Sequence, residues 1–354
     1  MKKSITIPAY WGILHGLNDW LAGYMLARFS IVGNREQAFT SLIIYSAIAF
    51  AGQLPLGLWI DKSQNLKDPA RISFILLPAT ILLFPVYPFA AIILAGIVSA
   101  CIHVAGACIC FSDGEERISP LGIFTAPGVA GLAIGGFCMN MPQDFLWIFL
   151  FPFILTIYLI LKKGIPVYSS IGRKNKTAVE SHDIIMLMIL LIMVLRSFLF
   201  DLLNNYSNHF EYGLLITGLS AFAGKLLSGL FADRIGWRRW LFITLPLAFI
   251  FLELGRENVY AFAFGVACMQ SSVPVTLMLV YRSIPQFPAT ASAFGLGVCV
   301  ALAGLPLYGL PALHNMFNQS RQLFMIVIAL VLLIIAVIIY FVRMMKADVI
   351  KTTG

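Results

Sequence analysis

Apolar residues run in long blocks with only brief polar interruptions, and this patterning predicts helices that cross a bilayer. Twelve blocks can be drawn, over 8–30, 38–60, 70–86, 88–111, 118–140, 144–161, 183–203, 210–231, 238–254, 257–281, 287–310 and 322–343. At about 1.5 Å per residue, about 17–25 residues cross a hydrocarbon core about 30 Å thick. The third and ninth blocks are at the short end of that range. Phe84-Pro85-Val86-Tyr87-Pro88 separates the third from the fourth and reads as a tight turn between two spans. The first block carries His15, Asn18 and Asp19. It is too long and too polar for a cleaved signal peptide and reads as a retained helix.

Lys and Arg fix the expected orientation. With the N-terminus inside, 18 of the 24 basic residues fall on the inner side and 4 (Arg28, Arg35, Arg256, Arg321) on the outer. Arg196 and Lys225 stay within spans. That segregation predicts both termini in the cytoplasm of a cell, or inner, membrane. Composition agrees: 60% of the 354 residues are hydrophobic and 11% charged, with mean hydropathy +0.90. A water-soluble enzyme is excluded as the main reading, and so is a disordered chain. The net charge of +8 follows topology rather than forming one patch, so no nucleic-acid partner is expected. Cys101, Cys108, Cys110, Cys138, Cys268 and Cys299 all lie in spans without metal-ligand spacing. They read as small packing residues, and neither a metal nor a cofactor is expected.

The chain repeats itself. Residues 49–62 (AFAGQLPLGLWIDK) and 221–234 (AFAGKLLSGLFADR) match at eight of fourteen positions with a constant offset of 172. Both copies close a span on the inner side, and a repeat of even helix number preserves orientation. The expected fold is therefore all-α: a polytopic membrane protein of twelve transmembrane helices in two six-helix bundles related by a parallel repeat. Residues 1–161 form the first bundle, 162–182 a basic cytoplasmic linker, and 183–354 the second bundle.

Two six-helix halves, a basic central loop and G-x-x-x-D-[KR] after spans 2 and 8 resemble the major facilitator superfamily of transporters. The second copy, Gly229-Leu-Phe-Ala-Asp233-Arg234-Ile-Gly236-Trp-Arg238-Arg239, is very similar to that family's loop motif. The first, Gly57 to Asp61-Lys62, departs from it where Ser-Gln-Asn-Leu follows. His15-x-x-Asn18-Asp19, His103-x-x-Gly106, Pro274-Val-Thr276 and Pro285 followed by Ala-Ser-Ala-Phe-Gly295-Leu-Gly297 resemble the fosmidomycin-resistance-like exporter branch. By the family resemblance, Asp61 should meet the start of span 11 near Pro288–Ser292, and Asp233 the start of span 5 near Pro120. These contacts, with Gly57, Lys62, Gly229, Arg234, Arg238 and Arg239, would make a cytoplasmic gate. Ala126-Pro127-Gly128, Gly131, Gly135 and Gly136 resemble the family's Gly/Pro-rich antiporter helix with its Gly-Pro pair inverted. They read equally as packing glycines or as a hinge.

Charged groups at mid-bilayer cost about 2.5–3.5 kcal/mol each on insertion scales, so each needs a partner or a wet cavity. Asp19 lies about 16 Å into span 1, with His15 one turn earlier on the same face and Asn18 beside them. His103 reaches a similar depth in span 4, about 12 Å from its inner end, and Arg196 lies just past the midplane of span 7. In the family, spans 1, 4, 7 and 10 line a central cavity. These residues predict a proton-coupled secondary transporter of a small organic solute, with protons and that solute as partners and a monomer as its state. Asp19 would exchange the proton. His15 and His103 would set its field or relay protons, or else serve as hydrogen-bonded core histidines. Arg196 would be a counter-charge or an anchor for an anionic group, unless it pairs with Asp201. Gln53 and Gln270 are candidate solute contacts, and Lys225 would snorkel towards the inner surface. Antiport, hence efflux, leads. Uptake by symport and a membrane enzyme acting on a lipid or isoprenoid remain alternatives. No Walker sequence, H-E-x-x-H or G-x-S-x-G occurs.

Overall fold

The computed structural model of the chain describes residues 2–33, 35–111, 117–148, 150, 182–309, 326–328 and 331–339. Among them the structure is helical, without strands. The helices are α1 (Lys2–Val32), α2 (Arg35–Ser46), α3 (Gln53–Ser63), α4 (Lys67–Leu83), α5 (Pro88–Phe111), α6 (Ser119–Phe137), α7 (His182–Tyr206), α8 (Gly213–Ile235), α9 (Trp237–Leu254), α10 (Val259–Gln270), α11 (Ser272–Ser283), α12 (Pro288–Ser292) and α13 (Cys299–Gly309). Most of the expected sixth span, all of the linker 162–182 except its last residue, and part of the twelfth span lie outside the described residues; 326–328 and 331–339 are helical.

Among the described residues, six segments are long and apolar enough to cross a membrane: Glu36–Ser63, Pro88–Phe111, Ser119–Asn140, Ile185–His209, Gly213–Ile235 and Val259–Ser283. Their outer faces are greasy. Leu58, Leu187 and Leu230 are 54%, 61% and 45% exposed, a pattern suited to lipid and not to water. The proline pair near residue 85 does separate two helices, since Val86 and Tyr87 both donate backbone bonds to the Leu83 carbonyl as α4 turns into α5. α5 and the α10–α11 segment are buried over most of their length, which explains why they are apolar on every side.

Two spans contain a wide turn. α2 runs into α3 through a π-helical segment, Ala47–Ala51, and α12 runs into α13 through another, Ala293–Val298. Such turns shift the helical register and often mark functional sites. They meet across the molecule: a Cβ on Gly297 would lie 2.5 Å from the Phe50 carbonyl oxygen and 2.7 Å from the Gln53 Cβ.

Glycine sets a close helix crossing between α1 and α6. A Cβ on Gly131 would fall 2.1 Å from the Gly16 carbonyl, and one on Gly135 2.1 Å from that of Trp20, so neither position accepts a side chain. Gly236, at φ 90°, ends α8 in a conformation that L side chains avoid and lets α9 begin at once.

Candidate functional site

The α1–α6 crossing positions the first functional side chain. His15 projects from α1 onto α6, where its ring stacks on Phe124 (centroids 4.8 Å apart) and covers Gly128. A Cβ at Gly128 would come within 2.3 Å of His15 Nε2. His15 Nδ1 lies 3.0 Å from the Phe124 carbonyl oxygen, and His103 Nδ1 lies 2.7 Å from the Ser99 carbonyl oxygen on α5. A carbonyl only accepts, so each Nδ1 carries a proton and each Nε2 of a neutral ring presents a bare lone pair.

Those two lone pairs point at each other. His15 Nε2 is 3.0 Å from His103 Nε2 and also 3.0 Å from Asp19 Oδ2, four residues along α1. The other Asp19 oxygen accepts a 2.9 Å bond from Asn18 Nδ2. His15, Asn18, Asp19 and His103 are all buried. Three acceptor atoms thus converge with no donor of their own between them. A cation between them, a proton being the smallest, would relieve the facing lone pairs.

The triad forms one wall of a cavity of about 300 Å³. Arg196, Ser197 and Asp201 of α7, Lys225 of α8 and Gln270 of α10 line it as well. Arg196 is 4% exposed; its Nη2 donates to Ser197 Oγ at 3.2 Å, while Nε and Nη1 have no partner among the described residues. Asp201 lines the same cavity, yet no ion pair joins it to Arg196 among the described residues. The α7 guanidinium is therefore a buried cation at the cavity wall, with two donors left without a partner among the described residues.

Two expectations are corrected. Lys225 does not snorkel out of the helix but faces the cavity. Gln53, its counterpart in the sequence repeat, does not line this cavity: it is fully buried against Gly297 and donates to the Ala49 carbonyl at 2.7 Å. The wide turn at Ala47–Ala51 accounts for this, because it rotates α3 relative to α2. Gln270 does line the cavity. Sequence reasoning missed Tyr45 and Asp201 as lining residues and Gly128 as the seat of His15.

At the far end of the bundle the repeated motif makes two matching contacts. Asp61 accepts from the backbone N–H of Ala289 (3.0 Å) and Thr290 (2.7 Å) at the start of α12, and Gly57 packs against the Ala289 carbonyl. Asp233 accepts from Ile118 (2.8 Å) and Ser119 (2.9 Å) at the start of α6, and Gly229 packs against Ser119 and Gly122. Each carboxylate caps the positive end of a helix from the other half of the chain. Asp61 is buried and Asp233 exposed. Lys62, Arg234, Arg238 and Arg239 are exposed, and Arg238 lies 5.3 Å over the Trp237 ring.

No family model and no curated protein sequence matches the chain. Solved structures do. FucP, a major facilitator superfamily transporter in the outward conformation, aligns with TM-score 0.67 at 13% identity, covering 95% of this chain and 97% of that one. The Escherichia coli fucose:proton symporter FucP, in a variant form, gives 0.65 at 13% identity over 95% and 98%. A bacterial homologue of the iron transporter ferroportin in an outward-facing state gives 0.56 at 15% identity over 95% and 99%. The fold is that of the major facilitator superfamily.

Proposed function

We propose that this chain is a secondary active transporter that moves a small organic solute by alternating access, coupled to protons and operating as an antiporter for efflux. The observation that carries this reading is the convergence of His15 Nε2, His103 Nε2 and Asp19 Oδ2, through two 3.0 Å contacts, on the wall of a cavity that the buried cation Arg196 also lines. A proton on the triad relieves three facing lone pairs, so its arrival and departure change the cavity's charge. Arg196 and Lys225 offer a cationic wall for an anionic group on the solute. Twelve transmembrane helices in two six-helix bundles, 1–161 and 183–354 joined by 162–182, make up the transporter in this reading. It is a monomer in the cell membrane with both termini cytoplasmic. The near-complete coverage of FucP supports this organisation.

The cavity lining runs from the triad to Leu26, Leu132 and Asn204, away from the Asp61 and Asp233 contacts. The state is then outward-facing, with the cytoplasmic gate shut by the two helix caps and their glycine crossings. In the cycle we infer, an external proton reaches the triad as solute leaves outward. The protonated carrier turns inward with its caps broken, and internal solute displaces the proton. Symport is the second reading, favoured by the likeness to a fucose:proton symporter. The exporter-branch resemblance rests on sequence alone.

A thermal-shift panel of metabolites and drugs on the purified chain at pH 6 and pH 8 tests this. A solute whose stabilisation differs between the two pH values names the ligand class and shows proton linkage together. A stabilising solute indifferent to pH contradicts proton coupling.

A further inference from the structure

We propose that His15 Nε2, His103 Nε2 and a carboxylate oxygen of Asp19 form a binding site for one divalent transition-metal ion of the zinc class. The ligand atoms all lie within 4.8 Å of one another. Tetrahedral bonds of about 2.0–2.1 Å set ligand atoms about 3.3–3.4 Å apart, so the 3.0 Å contacts need open by only a few tenths of an ångström.

The surroundings are those a metal-ligating histidine needs. Each imidazole donates its Nδ1–H to a backbone carbonyl, Phe124 for one and Ser99 for the other, which fixes the tautomer and turns Nε2 to the ion. Asn18 holds the second carboxylate oxygen, and Phe124 with Gly128 fixes the plane of the His15 ring. These supports come from three helices, so the ligand set does not depend on one side chain's choice of rotamer. Ligand type selects the ion: two imidazoles and one carboxylate suit zinc, iron or cobalt, whereas magnesium and calcium require oxygen shells. The three residues line the cavity, which gives the ion an entry path and leaves its remaining positions open to water or an anionic ligand. Asp19 supplies one negative charge. Tyr45, Arg196, Asp201 and Lys225 are the other titratable or charged groups lining the cavity, and the two cations there favour an anion as fourth ligand.

Metal and proton compete for the same lone pairs, so binding releases protons and weakens as pH falls. Metal binding requires none of the transport chemistry, and the two claims fail separately. The probe is zinc chloride, with cobalt chloride as its spectroscopic stand-in, added to the purified full chain in detergent. Isothermal titration should show one saturable Zn²⁺ per chain with no response to Mg²⁺, and Co²⁺ should give a visible ligand-field band. His103→Gln and Asp19→Asn should each weaken binding about 100-fold or more. X-ray absorption on the wild-type zinc complex needs no variant and should show two imidazoles with oxygen at about 2.0–2.1 Å. Absence of saturable Zn²⁺ binding, sulfur in the first shell at about 2.3 Å, or undiminished binding in folded His103→Gln would overturn the site.

Discussion

Replacing Asp61 by Asn isolates the energetics of the shut end, because it keeps the shape and removes the charge. The carboxylate accepts two backbone bonds, at 3.0 and 2.7 Å, at the start of α12. Hydrogen bonds to a charged group contribute about 1.5–3 kcal/mol each, and an amide oxygen retains one neutral bond of about 1 kcal/mol. The lower bound of the loss is therefore about 2 kcal/mol, or about a 30-fold change in an equilibrium constant. A state open at this end and populated at about 3% would rise to about half. Spin labels at Lys67→Cys and Phe287→Cys flank the contact from the two halves, and both positions are exposed. Five native cysteines are buried, and the partly exposed Cys138 is replaced by Ser. Pulsed dipolar spectroscopy in detergent should show a short distance in the wild type and a second, longer population of similar size in Asp61→Asn. Asp233→Asn, whose carboxylate is exposed, should shift the balance about fivefold at most. Unchanged distance distributions in both variants would refute the assignment of the caps as gate contacts.

Other outcomes follow from the site. Gly128→Ala places a methyl group 2.3 Å from His15 Nε2, so the ring must retreat by about 1 Å. Gradient-driven transport should fall about 100-fold while the protein remains monodisperse, and a wild-type rate would show that the ring position is immaterial. Arg196→Met removes a buried cation with two unsatisfied donors. It should raise thermal stability, on the order of 2 kcal/mol, while abolishing stabilisation by anionic solutes; a lower melting temperature would mean that Arg196 is a structural partner. The pH dependence separates the two transport readings. In antiport the proton competes with solute, so affinity rises from pH 6 to pH 8; in symport it falls over the same range. Thermal shift at the two pH values reads the sign.

Much of the fold was legible because a lipid-facing helix must be apolar for a fixed length, and the sequence blocks coincide with helices such as α5 and α8. The wide turns at Ala47–Ala51 and Ala293–Val298 were not, since nothing interrupts the apolar run where the register slips. That slip is why Gln53 was read as a cavity residue. His15 and Asp19 could be paired from their spacing of four along one helix face. The Nε2 contact between His15 and His103 could not, because equal depth on two helices does not fix which way a ring points. Gly128 illustrates the same limit. Its sequence context reads as a hinge or as packing, and only the α1–α6 crossing shows that its missing side chain is where His15 sits.

Transport in proteoliposomes by wild type and Asp19→Asn, using the solute found by thermal shift, bears most directly on the central claim. The wild type should move solute against its gradient when a pH gradient is imposed. Asp19→Asn should lose that movement and keep solute-for-solute exchange. Full gradient-driven movement in Asp19→Asn would contradict the coupling role given to the triad.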